Sequence, residues 1–442
     1  MSKICTDSIV KPELLAPGGD LSKALTALKY GADAVYIGGE AFGLRAAAGN
    51  FTSEDIDALL AFAHPLGKKV YVTLNILPRT AETEAMAGYA KKLYEKGVDG
   101  VIVADIGAML AIRRAVPELP IHVSTQANTL NLETCRFWAS LGARRVNLAR
   151  ELSLSEIEEI NCGLKNDGNG SLSPVAPSLE LEVFVHGAMC MAYSGRCMLS
   201  DYLTGRSSNR GECAQPCRWE YTPYILSAEM TEEKRPGQKF GIEETERGTF
   251  LFNSRDLCLL PYLPELIRAG AAALKIEGRM KSEYYVAVTV RAYRIAIDRT
   301  IEAMQAGESG KLPEPLLAEL MDEVSSVSHR EYSDGFFNGG LGQQVYGTSS
   351  YVRTTSFAGI VTGCEQAADQ EGYIVTLSQR GNFGVGDAVQ LVQPGGPVLD
   401  LHLSSMSDAD GNMIDRAPHA CMTVRFRTPY PVAVGAMLRK IN

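Results

Sequence analysis

The chain has 442 residues, of which 45% are hydrophobic and 21% charged, and its formal net charge is −9. This length is sufficient for a large α/β domain and a smaller second domain. The acidic balance argues against a protein that coats nucleic acid, but it leaves room for a local basic surface. Residues 1–11 lack an apolar stretch, and no unbroken apolar run reaches the roughly 18 residues of a membrane span. We therefore expect a cytoplasmic protein without membrane contact.

Eight short apolar runs alternate with segments of helical periodicity in the first part of the chain. Most of these runs are continuously apolar, which indicates strands buried on both faces, as in a parallel sheet covered by helices. The predicted strands are Glu13–Pro17, Ala34–Gly39, Lys69–Asn75, Gly100–Asp105, Ile121–Gln126, Arg145–Arg150, Leu181–His186 and Ala273–Glu277. The pattern predicts an α/β fold, a (β/α)8 barrel of the TIM type. A doubly wound open sheet is the alternative, and the lack of a GxGxxG motif after a strand disfavours it.

Residues 187–250 interrupt this alternation between the seventh and eighth predicted strands. An insertion there leaves from the carboxyl end of a strand, the face on which barrels build their sites. Helical patterns at Ser282–Ala306 and Pro315–Val324 follow, so the barrel unit with its trailing helices is predicted to span residues 1–345. Short β-like runs between Gly- and Pro-containing turns predict a small all-β domain over residues 351–442.

Four of the ten cysteines lie within 28 positions of the insertion, at Cys190, Cys197, Cys213 and Cys217. Four converging thiolates are the ligand set of a [4Fe–4S] cluster or of a tetrahedral zinc ion. Structural zinc sites usually contain cysteine pairs two residues apart, whereas six, fifteen and three residues separate these cysteines. The irregular spacing favours the larger cluster. Zinc and unrelated buried thiols are the alternatives.

Long motifs surround the first two of these cysteines, and others follow the predicted strands. They are Glu182–Cys190, Gly195–Ser200, Glu13–Gly19, Gly31–Gly38, Leu44–Ala46, Asn50–Phe51 and Lys275–Lys281. Together these segments resemble the collagenase-like peptidase U-32 family over roughly residues 12–340. The C-terminal β domain resembles that of the longer members.

The resemblance implies an activity that differs from the family name. Better-understood members hydroxylate tRNA, ribosomal RNA or a ubiquinone precursor without dioxygen, and four cysteines bind their [4Fe–4S] cluster. Chain length and the β domain are most similar to the tRNA-hydroxylating branch. This implies hydroxylation of a tRNA wobble uridine to 5-hydroxyuridine, with the four cysteines as cluster ligands and prephenate as co-substrate. Hydroxylation of the other two substrates, a collagenase-like peptidase and a scaffold braced by the cluster are alternatives.

Polar side chains at the carboxyl ends of barrel strands converge on one mouth. Those interpreted as catalytic are His186, Glu277 and Asp105. Those interpreted as substrate-binding are Arg45, Asn75, Gln126, Arg150 and Arg279. Guanidinium groups bind carboxylates in a bidentate manner, so the arginines suit a small dicarboxylate such as prephenate. The alternatives are a core position for His186 and ordinary ion pairs of the arginines with Glu151 or Glu277.

A tRNA ligand requires a positive surface, and two groups of residues can supply one. The group around the cysteines contains Arg196, Arg206, Arg210 and Arg218, with Tyr193, Tyr202 and Trp219 interleaved. The group in the C-terminal tail contains Arg416, Arg425, Arg427, Arg439 and Lys440, with Phe426 and Tyr430. Aromatic rings stack on unpaired bases. Solvated faces are the alternative for both groups, and the net acidity favours transient binding of tRNA.

Peptidase motifs are missing from the sequence. Neither HExxH nor GxSxG occurs, which argues against a zinc metallopeptidase or a serine hydrolase. A pair formed by Cys258 or Cys190 with His186 or His122 is the remaining route to a peptidase.

Overall fold

In a computed structural model, parallel strands form a barrel in the N-terminal part of the chain. The structure describes residues 9–43, 50–166, 179–190, 192–193, 196–208, 212–219, 229–231, 239–241, 244–245, 248–249, 255–339, 353–369 and 371–442. The strands up to residue 333 are β1 (Glu13–Gly18), β2 (Ala34–Gly38), β3 (Lys69–Leu74), β4 (Gly100–Val103), β5 (Ile121–Val123), β6 (Arg145–Asn147), β7 (Glu180–Ala188), β8 (Glu229–Thr231), β9 (Lys239–Gly241), β10 (Glu244–Thr245), β11 (Gly248–Thr249), β12 (Asp256–Cys258), β13 (Ala271–Ile276) and β14 (Tyr332–Ser333).

Strands β1 to β7 and β13 make up the barrel. Each pairs in parallel with the next, and β13 closes the ring by pairing with both β1 and β7. The strand residues are almost all buried, as expected for strands covered by helices outside and by side chains inside. The predicted (β/α)8 barrel is therefore confirmed, and the open-sheet alternative is wrong.

Helices follow the barrel strands and pack around them. They are α1 (Leu21–Lys29), α2 (Ser53–Ala63), α3 (Thr83–Lys96), α4 (Ile106–Ala115), α5 (Leu132–Ser140), α6 (Leu154–Asn166), α7 (Leu199–Thr204), α8 (Leu263–Arg268), α9 (Glu283–Gln305) and α10 (Glu314–Ser326). Among these, α7 lies within the insertion, and α10 packs against α9 outside the barrel. No helix in the described ranges combines the length and the apolar character that crossing a bilayer requires.

The barrel interior contains a buried ionic network toward the amino-terminal ends of the strands. Arg145 contacts Glu13 at 2.6 Å and Glu182 at 3.4 Å. Lys275 on β13 donates to Glu182 on β7 at 2.8 Å. Because a buried charge is costly unless it is paired, these ion pairs make it possible to bury four charged side chains in the lumen.

Both ends of the insertion are held beside β7. Strand β12 pairs antiparallel with the last residues of β7, with Asp256 opposite Ala188. Asp256 is buried and accepts from the Arg330 guanidinium at 2.7 and 3.0 Å. Burial opposes ionisation of Asp256, but the charge of Arg330 outweighs it, with help from Lys281 and hydrogen bonds, and the pKa lies below its ordinary value. The insertion thus spans residues 189–255, beginning two residues later and ending five later than expected.

The C-terminal part forms the expected all-β domain. Its strands are β15 (Thr355–Gln366), β16 (Tyr373–Gln379), β17 (Phe383–Gly384), β18 (Ala388–Val392), β19 (Val398–His402), β20 (Met406–Ser407), β21 (Met413–Ile414), β22 (Arg416–Ala417), β23 (Thr423–Thr428) and β24 (Met437–Ile441). Eight of them form one antiparallel sheet in the order β19-β18-β24-β15-β16-β23-β20-β21. Its core includes Val375, Leu377, Phe383 and Leu391.

Side chains of the C-terminal tail connect this domain to the barrel helices. Arg439 is buried and donates to Glu323 on α10 at 2.6 Å. Lys440 pairs with Asp387 at 2.9 Å, Arg427 pairs with Asp369 at 2.6 Å, and Phe426 lies in the core. Arg439 and Phe426 therefore do not contribute to the basic and aromatic surface that the tail sequence offers as one possibility, whereas Arg425 and Arg427 are exposed.

Replacing Asp256 with Asn should destabilise the protein strongly. The variant removes the carboxylate charge that pairs with the buried Arg330 guanidinium, and breaking a buried ion pair costs about 3–5 kcal/mol. The measurement is the free energy of unfolding in urea. As a control, Asp369→Asn removes an exposed partner of Arg427 and should leave unfolding nearly unchanged. Equal unfolding midpoints of the two variants would contradict this assignment.

Candidate functional site

Glu277 and Arg150 lie together at the carboxyl ends of the barrel strands. Glu277 directly follows β13, and its backbone N–H donates to His186 O at 2.8 Å. Its carboxylate accepts from Tyr36 Oη at 3.3 Å and lies 3.9 Å from Arg150 Nη2. Arg150 also donates to Ala188 O at 2.6 Å, and its guanidinium carbon lies 3.8 Å from the Phe184 ring centroid. Arg150 thus forms an ion pair with Glu277, which is the alternative to ligand binding that the sequence offers. The pair places a carboxylate and a guanidinium in the mouth.

Arg279 is buried against the ends of β2 and β3. Its Nη1 lies 3.4 Å from Thr73 Oγ1. A Cβ at Gly38 would lie 1.9 Å from Arg279 Nη2, so the guanidinium is in close contact with the end of β2. The guanidinium therefore lies below the rim of the mouth. Arg45, the other substrate-binding candidate near this edge, lies outside the described residues.

Asn75 and Gln126 meet across the mouth, whereas Asp105 has a local role. Asn75 Nδ2 donates to Gln126 Oε1 at 2.7 Å, and Ser124 Oγ donates to the same oxygen at 2.8 Å. Asp105 is the N-cap of α4, and its carboxylate accepts from Ala108 N at 2.8 Å. This bond satisfies one of the free N–H groups at the helix start, which is a structural role.

His186 is directed away from the mouth. An extra residue in β7 shifts its register with β13, so that Phe184 pairs with Lys275 but His186 pairs with Ile276. A single-residue shift reverses the face on which a side chain lies. The imidazole lies among three tyrosines, 3.4 Å from Tyr293 Oη and 3.3 Å from Tyr332 Oη. This position fits the core interpretation of His186 better than the catalytic one.

The environment of His186 keeps its imidazole neutral. The residue is 1% exposed, and burial lowers its pKa to about 3. Cys258, its partner across the β7–β12 pair, is also buried, which raises the pKa of its thiol to about 11. Because a cysteine nucleophile acts as a thiolate, this Cys–His pair is poorly suited to peptide hydrolysis.

We call residues 190–219, which contain the four candidate ligands, the cysteine segment. Cys190 follows β7 closely, Cys197 precedes α7, and Cys217 lies in a short turn over Pro216–Arg218. Ser208 Oγ donates to the carbonyl of Cys197, and Ala214 N donates to Ser200 Oγ on α7 at 2.9 Å. These bonds join the parts of the segment that carry Cys197, Cys213 and Cys217.

The cysteine segment also contacts the mouth. Arg196 Nε donates to Asn128 Oδ1 at 2.7 Å. Asn128 has a left-handed backbone (φ 53°) and lies two residues after Gln126. Asparagine tolerates this conformation better than most residues do. Neither Asn128 nor Tyr36 was a candidate from the sequence, although each lies in or just after a predicted barrel strand.

The donor chemistry of the cysteine segment fits a cluster, but its side chains are not gathered. Cys190 and Cys213 are exposed thiols, and Cys197 and Cys217 are half-buried. Among the residues that the structure describes, no group of three or more His, Cys, Asp and Glu side chains is arranged to hold a metal ion. Four accessible thiols on one short segment are nevertheless a suitable ligand set. Assembly around a cluster would then accompany its binding, as in metal sites that form together with their metal.

Comparisons with known proteins match most of the chain. The model of peptidase family U32 matches residues 19–346, and that of the family's C-terminal domain matches residues 353–439. The "tRNA hydroxylation protein P1" of Bacillus subtilis is 37% identical, over 97% of this chain and 95% of that protein. The "tRNA hydroxylation protein P" of Escherichia coli is 36% identical, over 98% and 97%. A "Collagenase" of Porphyromonas gingivalis is 31% identical, over 75% of this chain and 74% of that protein.

The buried His186 predicts a specific pH dependence of stability. Its pKa is about 3 in the folded protein and ordinarily 6.5, so its stabilising contribution is complete above pH 6.5 and is lost as the pH falls toward 3. Because the unfolded state takes up the proton, wild type should lose up to about 1.4 kcal/mol per pH unit more than His186→Phe in this window. Urea unfolding between pH 5 and pH 6.5 measures the two slopes (roughly the range in which the ordinary imidazole titrates).

Tyr332→Phe is the matched control for this prediction. It removes one hydroxyl beside the ring but retains the imidazole, so its pH slope should equal that of wild type. A His186→Phe variant with the wild-type slope would show that the imidazole is not the buried neutral group.

Proposed function

Because the chain belongs to peptidase family U32, we propose that it hydroxylates RNA, and specifically that it converts a tRNA wobble uridine to 5-hydroxyuridine without dioxygen. One observation carries the proposal. The tRNA hydroxylation proteins of Bacillus subtilis and Escherichia coli align over 97% and 98% of the chain, including the β domain, at 37% and 36% identity. Similarity to the tRNA proteins therefore extends over both domains.

We propose that a polar base and an anionic co-substrate bind in the mouth, where Glu277, Arg150 and the Asn75–Gln126 pair lie. We propose that Glu277, whose carboxylate lies beside Arg150, acts as a general base that accepts a proton from the bound base. The buried Nε of Arg150 has no hydrogen-bond partner among the described residues. An incoming carboxylate is the natural partner for such a donor. The proposed co-substrate is therefore a small dicarboxylate, prephenate.

The proposed cofactor is a [4Fe–4S] cluster held by Cys190, Cys197, Cys213 and Cys217. Such a cluster supplies electron transfer when bound. The chain's own contribution is to hold its ligands beside the mouth, because Cys190 follows β7 and Arg196 is hydrogen-bonded to Asn128. Zinc is the alternative occupant of the same four thiols.

A collagenase-like peptidase is the second candidate function, and the similarity to the named collagenase supports it. The geometry of Cys258 and His186 disfavours it, because both are buried and the thiol stays protonated. His122 is also buried, and its pKa lies well below the ordinary value because of desolvation and the nearby Arg145 and Lys275. A peptidase would have to use Cys190, which the proposal assigns to the cluster.

Purification without oxygen should yield a protein that contains about four iron and four sulfide per chain. Cys190→Ser and Cys213→Ser should each lose most of this content and the associated visible absorption, because each removes a thiolate ligand. Cys421→Ser, at an exposed cysteine of the β domain, is the matched control and should retain both. Stoichiometric zinc in place of iron would overturn the cofactor assignment.

Deletion of the gene should remove 5-hydroxyuridine and its derivatives from tRNA, as measured by mass spectrometry of nucleosides. Wild-type protein should restore them, and Glu277→Gln should not, because the amide cannot accept the proton. Asp105→Asn should restore them, since an asparagine retains the N-cap role. Unchanged nucleosides in a strain without a second related gene would refute the proposed function. Peptide cleavage that survives removal of iron would favour the peptidase.

A further inference from the structure

The cysteine segment exposes an unusual number of large apolar side chains. Tyr202 is 86% exposed and Met198 is 71% exposed. The others exposed in this segment are Tyr193, Leu203 and Trp219. Exposed apolar groups that are concentrated in one part of a surface, beside polar groups, are typical of interaction sites. The function proposed above uses the cysteines of this segment but none of its rings.

Two of these rings are carried by one hydrogen-bonded unit. Ser200 on α7 donates to Arg206 O at 2.7 Å and accepts from Ala214 N at 2.9 Å. Trp219 Nε1 donates to Ala214 O at 3.1 Å, and Tyr202 lies on the same helix as Ser200. The Trp219 and Tyr202 rings are therefore presented by a connected support and not by independent loops.

The charge of the segment is opposite to that of the chain. Residues 190–219 contain four arginines and two acidic residues, whereas the whole chain has a net charge of −9. The side chains of Arg196 and Arg206 are exposed. Aromatic rings next to arginines bind single-stranded nucleic acid, because the rings stack on bases and the guanidinium groups attract phosphates. A membrane or a purely apolar partner does not require this combination.

The position of the segment brings this surface close to the mouth. Arg196 is hydrogen-bonded to Asn128, which follows β5 near the Asn75–Gln126 pair. Enzymes that modify a base take it out of the stack or act on an unpaired base. A stacking surface beside the mouth can hold the neighbours of a base that enters it.

We propose that Tyr202 and Trp219 form a stacking platform for an unpaired RNA loop. The inference rests on the proposed function, because it names the surface through which an RNA substrate reaches the mouth. The surface reads the single-stranded state of the RNA, and stacking makes it tolerant of sequence.

Fluorescence anisotropy with the full-length protein, purified without oxygen, tests the platform. The probes are a labelled RNA hairpin with an unpaired loop and the fully paired duplex of its stem. Wild type should bind the hairpin more tightly than the duplex. Tyr202→Ala and Trp219→Ala should each weaken hairpin binding about five- to hundredfold, the loss expected for one stacked base.

Two matched controls separate stacking from other effects. Tyr202→Phe retains the ring and should bind the hairpin like wild type. Tyr94→Ala removes an exposed tyrosine from the last turn of α3, near the opposite end of the barrel, and should also have no effect. All variants should retain the iron content of wild type.

Three results would overturn the platform. The first is that both alanine variants bind the hairpin as tightly as wild type does, and the second is that wild type binds hairpin and duplex equally. The third is a concentration-dependent dimer in sedimentation that Tyr202→Ala abolishes, because this would assign the surface to self-association. The proposed function is judged separately. Ring-dependent hairpin binding with unchanged tRNA nucleosides in the deletion strain would support the platform and refute the tRNA hydroxylation. If hairpin binding did not depend on the rings but the deletion strain lost 5-hydroxyuridine, the platform would be refuted and the tRNA hydroxylation supported.

Discussion

The pairing of β7 with β13 is the contact on which the rest of the structure depends. It closes the barrel, and inside the lumen the Lys275–Glu182 ion pair joins the same two strands at 2.8 Å. Residues at the ends of these strands form the mouth, because Glu277 directly follows β13 and the cysteine segment begins two residues after the end of β7. A closed ring leaves no strand edge exposed, so the mouth is a rim of fixed positions.

The same contact determines how the insertion is attached. Strand β12 returns along the end of β7, and the buried Asp256–Arg330 pair holds it there, so the two ends of a long insertion lie side by side. The Arg196–Asn128 hydrogen bond adds a contact across the mouth. The cysteine segment is thus tethered at its origin and at the mouth while its thiols stay accessible, an arrangement suited to a segment that completes its folding around a cofactor.

The sequence predicted the barrel well because strands buried on both faces are continuously apolar, and it predicted the β domain from its turns. It predicted individual side chains less well. A strand position does not reveal a bulge, and the extra residue in β7 turns His186 from the mouth to the tyrosines of α9 and β14. Hydrophobic patterns also do not report ion pairs between distant strands, so the pairing of Glu13 with Arg145 became visible only in three dimensions.

The β domain makes buried contacts with helices that pack against the barrel, and through these helices it stabilises the strands that end at the mouth. Arg439 binds Glu323 on α10, and the Tyr284 hydroxyl on α9 lies 2.8 Å from Thr355 Oγ1 in the β domain. Helix α9 in turn supplies tyrosines that surround His186 on β7, two residues before that strand ends. Packed side chains therefore run without interruption from the β domain to the strand that carries the cysteine segment. Because removing one partner of a buried ion pair is costly, this domain is part of the folded unit and not an independent attachment.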